Sequence, residues 1–308
     1  MRKWLALLLC LLLTGCAAPI HTDAPGYTFF DDTGAEISAP YAPKTVAVLT
    51  SSLADLWITA GGQVDITVYE TVERDFADEN VILVDDGAGK TVNLELLIAS
   101  KPDFVLYAAD LSGQLQCADV LRDAGIPAAG FSVETFDDYL RLLKICTDIL
   151  GTAENYEKYG ISLENKVNDM ISKSKNQEAT PSILFVRAGS SAKYTKAKTA
   201  ENHFVCGMLR ELGTHNIAED APILLDGLST EAILLADPDF IFFTTMGDET
   251  AGQAYMESLL NDPVWKTLTA VQNGRVYQLP KELFQYKPNA RWDEAYAHLA
   301  GLLYGDIL

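Results

Sequence analysis

Arg187, Lys193, Lys196 and Lys198 place four cations within twelve residues of a chain whose formal charge is −20, from 43 acidic against 23 basic side chains. A guanidinium pairs in a fixed fork with carboxylate or phosphate, and an ammonium pairs as a compact point charge, so the cluster suits an anionic ligand. The competing reading is a solvated loop, "GSSAKYTKAKTAEN" (189–202), whose lysines serve solubility. Tyr69, Tyr107, Tyr194, Phe284 and Tyr286 carry rings able to lie against a flat ligand, or else to pack a core. Signals for metal or catalysis are weaker. His21, His203, His215 and His298 are scattered, with no H-x-x-x-H pair, and no two cysteines form C-x-x-C. "GAGK" (87–90) lacks the spacing and the Ser/Thr of a phosphate-binding P-loop, and neither G-x-S-x-G nor G-x-G-x-x-G occurs. No enzyme activity, metal site or resident cofactor is therefore expected. The excess negative charge repels phosphate backbones and argues against nucleic acid.

These residues need elements to carry them. With 48% hydrophobic and 21% charged residues, 308 residues are enough for two lobes with cores of their own. "TVAVLT" (45–50), "ITVYE" (66–70) and "DFVLYAA" (103–109) are apolar runs that read as buried strands, alternating with helical spacing in "LADLWITAGG", "NLELLIASK" and "CADVLRDAGI". That alternation implies parallel sheets covered on both faces. The second half repeats it: "SILFV" (182–186), then "FVCGMLRELG", "STEAILLAD" and "DFIFFTT". "NLELLIASKPDFVLYAAD" (93–110) and "STEAILLADPDFIFFTTM" (229–246) even share Glu–(six residues)–Pro-Asp-Phe, at Glu95, Pro102, Asp103 and Phe104 and at Glu231, Pro238, Asp239 and Phe240. Between the halves, Tyr156, Tyr159, Leu163, Val167 and Met170 recur every three or four residues, the stripe of one long helix. The fold class expected is α/β: two similar lobes of mainly parallel sheet, joined by that helix, with a ligand cleft between them.

The chain opens with Arg2 and Lys3, an apolar run too short to span a membrane stably, and "LTGC" (13–16), which resembles the lipobox of bacterial lipoproteins. Cys16 is then the lipidated first residue of the mature chain. Cys117, Cys146 and Cys206 remain, an odd number for a disulfide framework, and Cys146 falls on an apolar helix face. The organisation expected is a lipoprotein signal peptide at 1–15, a lipid-anchored tether and lead-in at 16–43, an N-terminal lobe at 44–151, an inter-lobe helix at 152–178 and a C-terminal lobe at 179–308.

The lipobox, the long central helix and the doubled Glu–Pro-Asp-Phe segment together resemble the substrate-binding lipoproteins of ABC importers for iron–siderophores, haem and cobalamin. "FFDDTGAEI" followed by "APKTVAVLTSSLADLWITAGG" is similar to that family's entry into its first lobe, and "WKTLTAVQNGRVYQLP" with "KPNARWDEAYAHLAGLLY" to its closing segment. The resemblance implies a monomer held outside the cytoplasm by its N-terminal lipid, passing a ferric siderophore, haem or corrinoid to an ABC permease and its ATPase. It implies that Glu95 and Glu231, one on each lobe, pair with arginines on the two halves of that permease. A surface sensor that binds ligand without transport, or else an enzyme, is the alternative.

In parallel sheets, ligands sit outside the carboxyl ends of the strands. The contact residues expected on that rule are Ser51, Ser52, Tyr69 and Tyr107 from the first lobe, Arg187, Lys193, Tyr194, Thr245 and Met246 from the second, and Phe284 and Tyr286 from "PKELFQYKPNAR", which also carries Lys287. Should haem be the ligand, Tyr194, His203, Met246 or Tyr286 is available to its iron, and nothing in the sequence chooses among them.

Overall fold

The computed structural model describes residues 26–78, 80–85, 87 and 91–305. The expected signal peptide, Cys16 and the first part of the tether lie outside those residues. A hairpin of β1 (Gly26–Phe30) and β2 (Glu36–Pro40) leads into a five-stranded, wholly parallel sheet. Its strands are β3 (Val46–Val48), β4 (Ile66–Thr67), β5 (Ile82–Leu83), β6 (Phe104–Ala108) and β7 (Ala128–Phe131), in the order β5-β4-β3-β6-β7. A second sheet contains β8 (Ser182–Ala188), β9 (Lys196–Ala197), β10 (His215–Asn216), β11 (Phe240–Thr245) and β12 (Val276–Gln278), in the order β10-β8-β11-β12. There β9 runs antiparallel against Val186 and Arg187 of β8. Every residue of β6 and β11 is buried, the signature of strands covered on both faces.

The chain departs from one side of β3 to build β4 and β5, and then returns to the other side for β6 and β7. That reversal, repeated between β8 and β11, creates a crevice at the carboxyl ends of the central strands of each sheet. The second strand is shorter than its sequence suggests. Tyr69 and Glu70 do not extend β4 but open the helix Tyr69–Glu73.

The doubled motif has a local explanation. The Asp103 carboxylate accepts from the Lys44 and Thr45 N–H groups at 2.9 and 3.0 Å, while its own N–H donates to the Thr45 carbonyl at 2.8 Å. Asp239 does the same at the second sheet, accepting from the Ser182 N–H at 2.8 Å and donating to the Ser182 carbonyl at 2.9 Å. Each aspartate thus ties the start of one strand to the start of its neighbour, satisfying backbone groups that the ladder has not yet reached. Ahead of each proline, Lys101 (φ 50°) and Asp237 (φ 43°) turn left-handed and end the helix.

Helix Ala153–Tyr156 passes through a π-helical turn, Glu157–Ile161, into Ser162–Lys175. Tyr156 lies on Gly160, where an added Cβ would come within 2.9 Å of its ring, so only glycine admits that approach. Leu163, Val167 and Met170 of the stripe are buried, and this helix packs along the terminal helix Trp292–Tyr304. The largest core runs without a break from Val46, Leu106 and Phe131 of the first sheet to Ile183, Phe185 and Phe242 of the second. Trp292, fully buried, sits at the junction: its ring centroid is 5.6 Å from Phe136 of the first lobe and 5.8 Å from Phe204 of the second. Cys146 is buried on the core face of helix Phe136–Leu150, and Cys117 and Cys206 are likewise buried free thiols.

Candidate functional site

Arg187, one residue before the end of β8, is half-buried and in register with Lys196 of β9 and Thr244 of β11. Lys198, also half-buried, follows β9; its backbone N–H donates to the Phe185 carbonyl and its carbonyl accepts from Asn216. His203 caps the helix Phe204–Glu211, its Nδ1 accepting from the Val205 N–H, and its ring lies 4.6 Å from Phe185 and stacks on Phe204 at 5.3 Å. Over the Phe204 ring, at 4.7 Å, lies the ammonium of Lys287. Burial, reinforced by the charges of Lys287, Arg187 and Lys198, pushes the His203 imidazole down to about 3. The imidazole therefore stays neutral at any physiological pH. Burial, with Arg187 and Lys196, also lowers Lys198. Among the described residues, Arg187, Lys196 and Lys198 form no ion pair; Lys287 forms one, with Glu134. Like charges held together in a partly desolvated setting repel, and an anion placed among them relieves that repulsion.

The facing wall comes from the first lobe. Thr50, two residues beyond β3, caps the helix Ser51–Thr59. Ser51 donates to Glu70 Oε2 at 2.6 Å and accepts from Arg74 Nη1 at 2.8 Å. The Arg74 guanidinium then lies 3.7 Å over the ring of Tyr286, a contact between the two lobes. Two residues bind the lobes nearby. Lys287 Nζ donates to Glu134 Oε1 at 2.9 Å. Asn289, buried and at φ 49°, donates from Nδ2 both to the Ser52 carbonyl at 2.9 Å and to Asp55 Oδ2 at 2.8 Å. Burial raises the Asp55 carboxyl, with the Asn289 hydrogen bond and the charges of Arg74 and Arg291 opposing the rise.

A cavity of 170 Å³ lies where the lobes meet, lined mainly by first-lobe residues, Thr50, Ser52, Asp110 and Glu134 among them, with Lys287 and Asn289 from the second lobe. Beside it, and sharing Thr50 and Leu111, a second cavity of 280 Å³ is bounded by Tyr69, Glu70, Glu73 and Asp85. A wider hollow of 830 Å³ occurs near Ile58, Asp65, Asp75 and Ile82, but it sits at the amino ends of β4 and β5 and shares no residue with the cleft. Lys287 of the basic nest lines the smaller cavity at the carboxyl ends, and the crevice there is the candidate site.

Ser51, Ser52, Tyr69, Arg187 and Tyr286 thus come to the cleft or its border. Met246 is half-buried just after β11, its N–H donating to the Ala188 carbonyl, and Thr245 is buried within β11. Lys193 and Tyr194 stand on an exposed turn, the lysine 5.3 Å over its neighbour's ring. Two expectations are corrected. Tyr107 is 1% exposed, held in the first lobe's core with its ring against Gly130, and Phe284 is fully buried near His298. Tyr107 fills a core because β6 is covered on both faces, and Phe284 because it lies on the inward side of helix Lys281–Phe284, whose Glu282 is exposed. Arg74 carries no motif and is missed by sequence reading. Glu134 and Asn289 are missed as well, and Lys198 belongs to the nest rather than to a solvated tail. No group of three or more His, Cys, Asp or Glu among the described residues is placed to hold a metal ion, and no described helix is long and apolar enough to cross a membrane.

Comparison with known proteins gives a consistent picture. Residues 46–283 match the family described as periplasmic binding protein. The chain is 23% identical over 292 residues to the Fe(3+)-citrate-binding protein YfmC of Bacillus subtilis, covering 90% of this chain and 87% of that one. It is 24% identical over 269 residues to the high-affinity heme uptake system protein IsdE of Staphylococcus aureus, covering 86% and 87%. Its fold superposes with a TM-score of 0.72 on a periplasmic binding protein from Veillonella parvula, at 17% identity, covering 92% and 93% of the two chains.

Proposed function

Because the chain belongs to the periplasmic binding protein family, we propose that it is a membrane-anchored, extracytoplasmic substrate-binding protein. It captures an anionic iron chelate (a siderophore complex or haem) or a corrinoid and delivers it to an ABC permease and its ATPase. The observation that carries the ligand's charge is the nest of Arg187, Lys198 and Lys287 around a neutral His203. Ferric citrate and haem are the chelates in the names of two relatives, and both bear carboxylates that such a nest would take up. The test is a tryptophan-fluorescence titration against ferric citrate, haem, cobalamin and several ferric siderophores. Trp292 is a suitable reporter because it packs on Phe204, the ring beneath Lys287. Failure of all these ligands to bind would remove the reading.

Arg187→Ala is expected to weaken binding of the cognate chelate by about 1–3 kcal/mol, the range for losing a hydrogen bond to a charged group. That is roughly 5–150-fold in Kd by titration. An unchanged constant would leave Arg187 a strand-end residue with no part in binding.

Anchoring rests on "LTGC" at 13–16. Cys16→Ser is expected to abolish lipid attachment and hinder cleavage of the leader, read as loss of metabolic labelling by a fatty acid and loss of membrane retention. A Cys16→Ser chain that was still processed and acylated would refute the lipoprotein assignment.

A further inference from the structure

Among the described residues, Lys287 alone of the cations around His203 already has a carboxylate partner, and that partner comes from the opposite lobe. Glu134 lies just beyond β7, with its side chain 49% exposed; Lys287 is 22% exposed, and the contact spans 153 residues of sequence. We propose that Glu134 is an internal stand-in for a ligand carboxylate, holding Lys287 across the mouth of the cleft until a carboxylate-bearing chelate displaces it. This rests on the function proposed above.

Three observations carry the inference. The pair has the 2.9 Å ammonium–carboxylate geometry that a ligand carboxylate would itself adopt at Lys287. Both residues also line the 170 Å³ cavity, which is smaller than the roughly 300–1,000 Å³ of small-molecule pockets. A chelate therefore gains room there when the bridge opens. Finally, the backbone on each side is held independently of the bridge. The Glu134 N–H donates to Asp138, in the capping box of helix Phe136–Leu150. On the other side, Lys287 stands between Tyr286, under Arg74, and the buried Asn289. The half-exposed Glu134 side chain can swing outward without disturbing either anchor. A ligand lacking carboxylates recovers nothing at Lys287 after displacing Glu134, so the bridge selects for carboxylate-bearing chelates.

The experiment is a titration of the full chain in detergent with ferric citrate, haemin and cyanocobalamin, comparing the unaltered protein with Glu134→Gln, Lys287→Gln and the double variant. Glu134→Gln should tighten ferric citrate or haemin by about 2–5-fold, the scale of a partly exposed ion pair. Lys287→Gln should weaken them, and in that background Glu134→Gln should change nothing, because the competition it relieves is already gone. An equal gain in both backgrounds would mean that Glu134 repels anions at a distance, and the stand-in role would fall. It would also fall, with the importer reading intact, if Glu134→Gln left carboxylate chelates unchanged, or if cyanocobalamin were the one probe bound. Binding of none of the three probes would remove the ligand reading and this inference together.

Discussion

Trp292→Ala should destabilise the folded chain by about 3–5 kcal/mol, the range for truncating a fully buried tryptophan. Trp292 has no exposed surface, and its ring packs on Phe136, Phe204 and Tyr296 at centroid distances of 5.6, 5.8 and 6.2 Å. Phe136 begins a helix of the first lobe and Phe204 a helix of the second, so the cavity would open where the two cores meet. The indole N–H has no acceptor among the described residues. Trp292→Phe, which keeps an aromatic ring and discards that unpaired donor, should cost distinctly less. Urea unfolding followed by far-UV circular dichroism reads both. A Trp292→Ala loss below about 0.5 kcal/mol, no larger than a typical surface change, would mean that the central helix and not the aromatic junction holds the lobes together.

The double variant Glu95→Ala and Glu231→Ala is expected to bind chelate normally and yet reduce uptake close to background in cells carrying the cognate permease. Both glutamates are exposed, each at the second position of its helix. Asn93 and Ser229 already accept from the Leu96 and Ala232 N–H groups, so neither carboxylate is needed as a cap, and neither forms an ion pair among the described residues. Local helix stabilisation accounts for only about 0.3–1 kcal/mol each. It offers no reason for equivalent placement on both lobes. Leu96 beside Glu95 is 39% exposed, and Leu235, one turn after Glu231, is 89% exposed, as suits a contact surface. Paired charges of this kind set register and speed encounter with a partner of two similar halves. Single changes should be milder. Full transport by the double variant, with ligand binding intact, would leave only the helix-terminus role.

Sequence alone was enough for whatever depends on local pattern. Alternation of helical spacing with apolar runs announces two parallel sheets, because each element must bury one face or two and the period records which. Glu–Pro-Asp-Phe, written twice, announces the repeated unit: the proline stops the helix, and the aspartate caps the neighbouring strand entry at Asp103 and again at Asp239. Strand cores follow from the same pattern, but their ends do not: β4 stops before Tyr69, and β8 runs past Arg187 to Ala188. The choice between cleft and core for the aromatics did not follow. Tyr107 lies in a strand covered on both faces, and Phe284 on the inward side of a short helix; residue type alone does not say whether either ring faces ligand or core. Nor did the partners of the site. Arg74 meets Tyr286, Glu134 meets Lys287 and Ser52 meets Asn289 from opposite lobes, and no residue type or spacing in either segment marks its counterpart. Such contacts depend on how the two sheets are set against each other. That setting comes from packing around Trp292 and along the central helix, a property of the whole core that no short stretch of sequence contains.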